Sequence, residues 1–456
     1  MRLVLWHGYL LSGSGSNLYT ANIAREWRDV GHDVLLLCQD RRAGDFSFVD
    51  AQGDFGEDNR SFSVTATGVR QASGRCRVVR PSVGDVLPVY VYDEYEGFIA
   101  KRFIDLTDEE LDHYTRANID ALITAIEEHR PEAIITGHEV MGPYIAARAC
   151  DQTRTDFVAK LHGSALEFAV KKQSRYREFA REGLARARVV IGGSEYMVRE
   201  AASVVPGWAE RAVVVNPGCD VELFGPMARR ADAPPTIGYV GKLIVSKGVH
   251  HLLAALGLTT TTGLRAVVVG YGGFEPELRR IAAAISSGDF DAVASIARAA
   301  EKPLMDQLLA FIDAVEGPRY VRRAAEIEVE FAGRLDHEPL SRVLPTFDLL
   351  LVPSVVPEAF GMVAAEAAAC GVLPVVPRHS GIGEVGAALE GAIDSPGLLT
   401  YDPADPIAGI AGGADAILAL DPAGRAEMEG AVARFARRKW SWKTVAGDLL
   451  AHATAR

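Results

Sequence analysis

Short apolar runs alternate with longer amphipathic stretches along most of this chain. In the first half the runs fall at residues 3–6, 33–38, 133–136, 157–161, 189–191 and 212–215. Helical periodicity fills residues 18–30 and 108–129 between them, with apolar positions recurring every three to four residues. Strand–helix alternation of this kind predicts a mostly parallel, doubly wound α/β sheet. The second half repeats it, with strand candidates at 236–240, 265–269, 329–332, 349–352, 373–376 and 398–401. Between the halves lies the Pro-rich polar stretch 226–235, which predicts a linker. The expected architecture is therefore two Rossmann-like doubly wound domains, 1–225 and 236–439, facing a central cleft. Residues 440–456 are expected to form a last amphipathic helix, with Trp440 and Trp442 docking at the domain junction. In open α/β sheets ligands lie outside the carboxyl ends of the strands, so the chemistry is sought there.

Two segments break the alternation. Residues 46–104 are richer in Gly, Asp and aromatic residues and include Val89-Tyr-Val-Tyr92; they read as an insertion or hairpin region on the first domain. Residues 284–326 are charged and Ala-rich and read as a helical insertion in the second. Asp289-Phe-Asp291 within it has the form of a metal-binding D-x-D, but its helical flanks make it a surface turn.

Composition narrows the function classes. The chain has 456 residues, 48% hydrophobic and 24% charged, with a net charge of −12. That acidic balance argues against a general nucleic-acid binder, for which a basic domain is expected. Five dispersed cysteines without C-x-x-C spacing suit reduced thiols, and no signal-peptide pattern opens the chain. A cytoplasmic location follows as an expectation, with peripheral contact to a membrane left open and no apolar run near the ~18 residues of a membrane span.

The densest candidate chemistry is Glu358-Ala-Phe-Gly-Met-Val-Ala-Ala-Glu366, between the apolar runs 348–354 and 372–377. The pattern is strand, loop, helix, strand. Glu358 falls in the loop and Glu366 about two turns into the helix. The free N–H groups near Phe360, Gly361, Met362 and Val363 would face an anion at the helix mouth. Gly241-Lys-Leu-Ile-Val-Ser-Lys-Gly248 follows another strand, and its Lys242 and Lys247 are candidates to stabilise a developing phosphate charge. Gly13-Ser-Gly-Ser-Asn17 opens the first helix and would let a backbone approach a ligand closely. It is not a dinucleotide fingerprint, because Leu18 stands where the third glycine belongs. His138 and His162 each end a strand. Lys171 and Arg175 lie in a dense cationic run suited to a phosphorylated acceptor or an anionic lipid head.

Glu358 to Glu366, with Val352-Pro-Ser354 before and Cys370-Gly371, Pro374-Val-Val376 and Gly381-Ile-Gly-Glu384 after, resembles the E-x7-E region of retaining glycosyltransferases of family four. Gly241–Gly248 resembles that family's G-R-x-x-x-x-K-G segment, with Lys242 in the Arg place. The resemblance implies the GT-B fold and transfer of a sugar from a nucleoside diphosphate sugar, a UDP-sugar favoured, with retention and without a cofactor or required metal. It implies catalytic roles for His162, Lys242, Lys247 and Glu358. Donor contacts are implied at Gly15, Gly241, Phe360, Gly361, Met362, Val363 and Glu366, the last on the ribose. Acceptor contacts are implied at Ser14, Ser16 and His138, the acceptor being a glycan or a small molecule; the cationic run itself adds Lys171 and Arg175 and favours a small phosphorylated or anionic acceptor. The alternatives are a non-catalytic relative that binds sugar nucleotides and a nicotinamide-dependent Rossmann enzyme.

Overall fold

The computed structural model describes residues 1–68, 72–91, 97–228 and 233–455. The chain folds into two compact units, Met1–Pro217 with Trp442–Arg456, and Gly218–Ser441. The crossing at Pro217–Gly218 lies before the stretch 226–235 read as the linker, of which residues 229–232 lie outside the described residues.

The first unit is built on one sheet ordered Ala212–Val214, Val189–Gly192, Val158–Lys160, Ala133–Gly137, Arg2–Trp6, Asp33–Leu37, Arg75–Arg80, Ala51–Phe55 and Phe62–Ala66. Every pairing is parallel except the hairpin of Ala51–Phe55 with Phe62–Ala66. The central strands are apolar and buried along their length, as sheets covered on both faces require. Strand order turns back between Arg2–Trp6 and Ala133–Gly137, which are neighbours although far apart in sequence. The region 46–104 is only partly a hairpin. Arg75–Arg80 is an integral strand beside Asp33–Leu37, and Ala51–Phe55 joins on its other side. Its pattern was hard to read because Arg75, Arg77 and Arg80 interrupt the apolar positions. Tyr92, part of that reading, lies outside the described residues.

The helix Asp108–His129 starts at a capping box, Thr107 with Glu110, and carries three acids in its first turn, where the helix dipole favours them. The helix Gly15–Asp29 buries Trp27, whose Nε1 donates to the Ala446 carbonyl at 2.9 Å. Tyr19 meets Trp442 edge-on, ring centroids 5.6 Å apart. These contacts hold the helix Trp442–Thr454 in the first unit. The C-terminal helix expected at 440–456 forms at Trp442–Thr454, without Trp440. Trp440 ends the helix Pro422–Trp440 in the second unit, and Ser441 is extended and bridges to Cys219. That bridge replaces a helical hydrogen bond and breaks the helix between the two tryptophans.

The second unit has a parallel sheet ordered Glu328–Gly333, Arg265–Val269, Thr236–Val240, Leu349–Leu351, Leu373–Pro377 and Thr400–Tyr401. In chain order this is 3-2-1-4-5-6, the doubly wound order of nucleotide-binding sheets. Its switch point lies between Thr236–Val240 and Leu349–Leu351. The charged stretch after the second strand forms the helices Glu275–Ser287, Phe290–Ala299, Lys302–Ala314 and Gly317–Ala325. Asp289 is the N-cap of Phe290–Ala299, accepting from the Ala292 N–H at 3.0 Å, which accounts for the D-x-D sequence.

Trp27→Ala removes a fully buried ring and the hydrogen bond to Ala446. We expect the first unit to lose about 3–5 kcal/mol and the amides of residues 442–454 to lose hydrogen-exchange protection. Both are read by urea denaturation and exchange on the same variant; unchanged protection there contradicts the docking.

Candidate active site

In the second unit, the loops that leave the two switch-point strands carry the candidate chemistry. The loop after Thr236–Val240 leads to Lys247, and the loop after Leu349–Leu351 leads to Glu358. Their side chains meet: Lys247 Nζ donates to Glu358 Oε1 at 2.8 Å, with the carboxylate largely sheltered. The Ser354 hydroxyl donates to the same oxygen. The Ser380 hydroxyl accepts from the Glu358 N–H at 2.9 Å, and His379 bonds both Ser380 Oγ and the Ser354 carbonyl. Ser354, His379 and Ser380 were not singled out from sequence, although Ser354 lies in the quoted Val352-Pro-Ser354; nothing in spacing marks a residue that acts by holding another.

Backbone packing fixes both loops. Gly248 has φ +70°, and a Cβ there would lie 1.8 Å from the Pro353 carbonyl oxygen. Gly361 has φ +106°, and a Cβ would lie 2.3 Å from Ile382 Cδ1. The loop at Gly241 is laced to the Gly270 turn by Gly241 N–H to Val269 O, Leu243 N–H to Tyr271 O and Phe274 N–H to Leu243 O. Lys242 is exposed beside it, and no ion pair among the described residues engages it. The inserted helices buttress the helix Val249–Leu256 that follows Lys247. Tyr320 donates to the Ala254 carbonyl at 2.8 Å, and His250 Nε2 lies 3.1 Å from the Leu304 carbonyl.

The helix Met362–Ala369 begins directly after Gly361, so Glu366 stands about one turn in, not two. Met362 and Val363, half-buried, occupy the first turn, where backbone N–H groups lack helical partners. Phe360 is buried edge-on against Trp440, so its ring serves packing. Glu366 is buried, and its carboxyl is pushed up to about 8, mainly by burial and further by Asp220. His337 Nε2 lies 3.9 Å from its Oε1.

The first unit repeats the arrangement at its own switch point. His7 follows Arg2–Trp6, His138 follows Ala133–Gly137, and His162 follows Val158–Lys160. His7 stacks on His138 at 5.9 Å, and His138 lies 4.8 Å from His162. Burial holds all three imidazoles below their usual pKa, His7 at about 4. They are neutral groups that accept as well as donate. His7 bonds Asn17 Oδ1 at 2.9 Å and Thr20 Oγ1 at 3.1 Å. That ties it to the helix whose first turn holds Gly15, with Ser14 as N-cap and Ser14 Oγ 3.2 Å from Ser16 Oγ. Glu139, fully buried, accepts from the His162 and Gly163 N–H groups at 3.2 and 2.7 Å and so orients the His162 turn.

Lys160, two residues before His162, is 2% exposed. Its Nζ donates to the Val215 carbonyl at 2.9 Å and lies 5.2 Å over the Tyr19 ring. Burial lowers its pKa to about 7. In the run 171–177, Lys172 and Arg177 are exposed, whereas Lys171 and Arg175 are engaged. Lys171 is paired with Glu167 and Glu200. Arg175 is paired with Asp108 and donates to the Leu106 carbonyl at 2.8 Å. Lys171 and Arg175, read as cations for an acceptor phosphate, are thus both engaged in this structure, by Glu167 one helical turn away and by Glu200, Asp108 and the Leu106 carbonyl farther along the chain.

Residues 14–218 match the glycosyl transferase 4-like domain family, and residues 321–408 match glycosyl transferases group 1. Glycogen synthases of two Mycobacterium tuberculosis strains, CDC 1551 / Oshkosh and ATCC 25618 / H37Rv, are 30% identical over 278 residues, 58% of this chain and 56% of theirs. The chain thus spans about half the length of the curated relatives it matches. Among solved structures, sucrose-phosphate synthase from Thermosynechococcus elongatus superposes with a TM-score of 0.61 at 18% identity, covering 98% of this chain and 97% of its own. Anabaena Alr3699/HepE in complex with UDP and glucose gives 0.61 at 17%, covering 99% and 98%. The Escherichia coli protein described as trehalose-6-phosphate bound with UDP-2-fluoro glucose gives 0.60 at 11%, covering 100% and 99%. These likenesses show a shared fold.

A lysine lowered to about 7 stays neutral in the native state where the unfolded chain is protonated, so between pH 7 and about 10 its burial weakens folding less as pH rises. The stability difference between wild type and Lys160→Met should therefore shift toward the wild type as pH is raised from 7 to 10. Urea midpoints of both proteins measure it; a pH-independent difference contradicts a depressed Lys160.

Proposed function

We propose, from the premise that this chain belongs to the family-four glycosyltransferases of the GT-B fold, that it moves a sugar from a nucleoside diphosphate sugar to an acceptor hydroxyl with retention. The observation that carries the reading is the Lys247–Glu358 pair at the switch point of the second sheet, beside the start of Met362–Ala369. A leaving diphosphate gathers negative charge as the glycosidic bond breaks. Lys247, held at Glu358, and the N–H groups of the helix start are donors already in place for that charge, and the exposed Lys242 adds a mobile cation beside them. Glu358, held by Lys247 and Ser354, bonds the sugar hydroxyls. Glu366, protonated at neutral pH, both donates to and accepts from the ribose diol. In this mechanism the acceptor oxygen bonds the anomeric carbon on the face the phosphate leaves, and its proton passes to the departing phosphate.

In the first unit, His162 and His138 offer neutral imidazoles to sugar and acceptor hydroxyls, and Ser14, Gly15 and Ser16 offer hydroxyls and backbone at a helix start. A UDP-sugar is the favoured donor: the Alr3699/HepE and Escherichia coli structures were obtained with UDP or a UDP-sugar. No cofactor enters the mechanism, and a cytosolic location suits the five buried free thiols.

The test is binding and slow hydrolysis of a panel of UDP-, GDP- and ADP-sugars. One donor should be preferred, and Lys247→Met and Glu358→Gln should each lower kcat by about 10²–10³ with folding intact. If the folded variants keep wild-type turnover, the assignment fails; if one sugar nucleotide binds but is neither hydrolysed nor transferred, the chain is a non-catalytic relative, and if none binds the donor reading itself fails. Donor affinity should fall above pH 8 as Glu366 ionises beside the nucleotide, and Glu366→Gln should remove that pH dependence while keeping affinity at pH 7. An identical pH profile in the variant contradicts the role.

A further inference from the structure

The far end of the first sheet carries a polar groove that the proposed transfer does not use. Register sets its lining. Asp54 pairs with Arg80 on one side and Ser63 on the other; Gln52 pairs with Val78 and Thr65 in the same way. Positions two apart on a strand share a face, so Arg80, Asp54 and Ser63 form one row and Val78, Gln52 and Thr65 the next. With Gly53 between the rows and Asp40 and Arg41 at one end, they enclose about 220 Å³. Ser63 and Thr65 are exposed, and Val78 is the buried floor.

Its charges are already balanced. Asp54 is paired with Arg80. Both Asp40 oxygens accept backbone N–H groups, from Leu11 at 3.0 Å and Arg42 at 2.9 Å, and the Arg41 guanidinium lies 4.2 Å over the Phe98 ring. Two acids and two bases thus line the groove, with two hydroxyls and one amide. Gln52 Oε1 accepts from the Gly44 N–H at 2.6 Å, which leaves its NH₂ group as a donor. The four charges sum to zero and Arg80 is already paired with Asp54, so an anion gains little net attraction there; a neutral polyhydroxylated ligand meets both donors and acceptors.

The groove also lies on the route away from the histidine cluster. Asp40 follows the strand Asp33–Leu37 at the same sheet edge as His7, and the Gln39 N–H donates to Tyr9 O at 2.7 Å in the loop after His7. From Arg2–Trp6 to Ala51–Phe55 is three strand spacings, about 14 Å, a reach of a few sugar units. We infer that the groove formed by Gln52, Asp54, Ser63, Thr65 and Arg80 is a subsite for a neutral oligosaccharide acceptor whose growing end sits at His7, His138 and His162. The inference rests on the transferase reading and names the acceptor class it leaves open.

The test uses the full chain and linear glucose hexamers, α-1,4- and β-1,4-linked, titrated by calorimetry without donor. Ser63→Trp fills the groove; Val64→Trp adds the same bulk to the same strand on the opposite face. We expect one hexamer to bind wild type and Val64→Trp alike and Ser63→Trp about tenfold more weakly, as for the loss of one or two hydrogen bonds. UDP-sugar binding should be unchanged in both variants. No hexamer binding, equal weakening by both tryptophans, or glucose 6-phosphate competing at the groove would overturn the subsite. Each readout needs no turnover, so it is separate from failure of the transfer reaction itself.

Discussion

In a parallel sheet each strand must be re-entered from the same end, so every connection crosses a face. Where strand order reverses, the two flanking connections turn to opposite faces and leave a crevice between their loops. Both units depend on that constraint. In the second, it brings Lys247 and Glu358, 111 residues apart, to 2.8 Å. In the first, it brings His7 and His138 within stacking distance, and the next strand adds His162. Most candidate residues stand at or just beyond carboxyl ends of strands, where the fold leaves a polar opening beside an apolar core.

The two crevices differ electrically. The second keeps a charged pair, Lys247 with Glu358, with hydroxyls and backbone groups around it and a helix start close by. Such a site is preorganised for a ligand with changing negative charge. The first removes charge. Burial keeps three imidazoles neutral, lowers Lys160 to about 7 and raises the Glu139 carboxyl, while backbone N–H groups oppose that rise. A neutral crevice that both donates and accepts suits hydroxyl groups, and the balanced groove at the sheet's far end continues that character.

The inserted helices acquire a physical role as well. They do not face the crevice chemistry; they pack on Val249–Leu256, the helix that carries Lys247 at its approach. Rigid support for a catalytic loop can come from residues with no chemistry of their own, which is why the stretch 284–326 reads as a mere insertion. His379 and Ser380 illustrate the same point at closer range.

Periodicity by itself determined the second sheet, six of the nine strands of the first and the long helices Gly15–Asp29 and Asp108–His129, because a doubly wound sheet writes its buried strands as apolar runs and its helices as amphipathic ones. The E-x7-E region and both glycine-rich loops were legible for the same reason: they interrupt strong patterns at strand ends. Only the tertiary structure decided which charges meet. Lys171 and Arg175 look available in sequence, yet Glu200 and Asp108 neutralise them across the fold. Lys160, not singled out within the apolar run 157–161, is buried with its charge met by a carbonyl and a ring. Trp440 and Trp442 look like one helix and belong to two units. Pairing, burial and domain allegiance depend on distances between residues remote along the chain, and no local pattern encodes those distances.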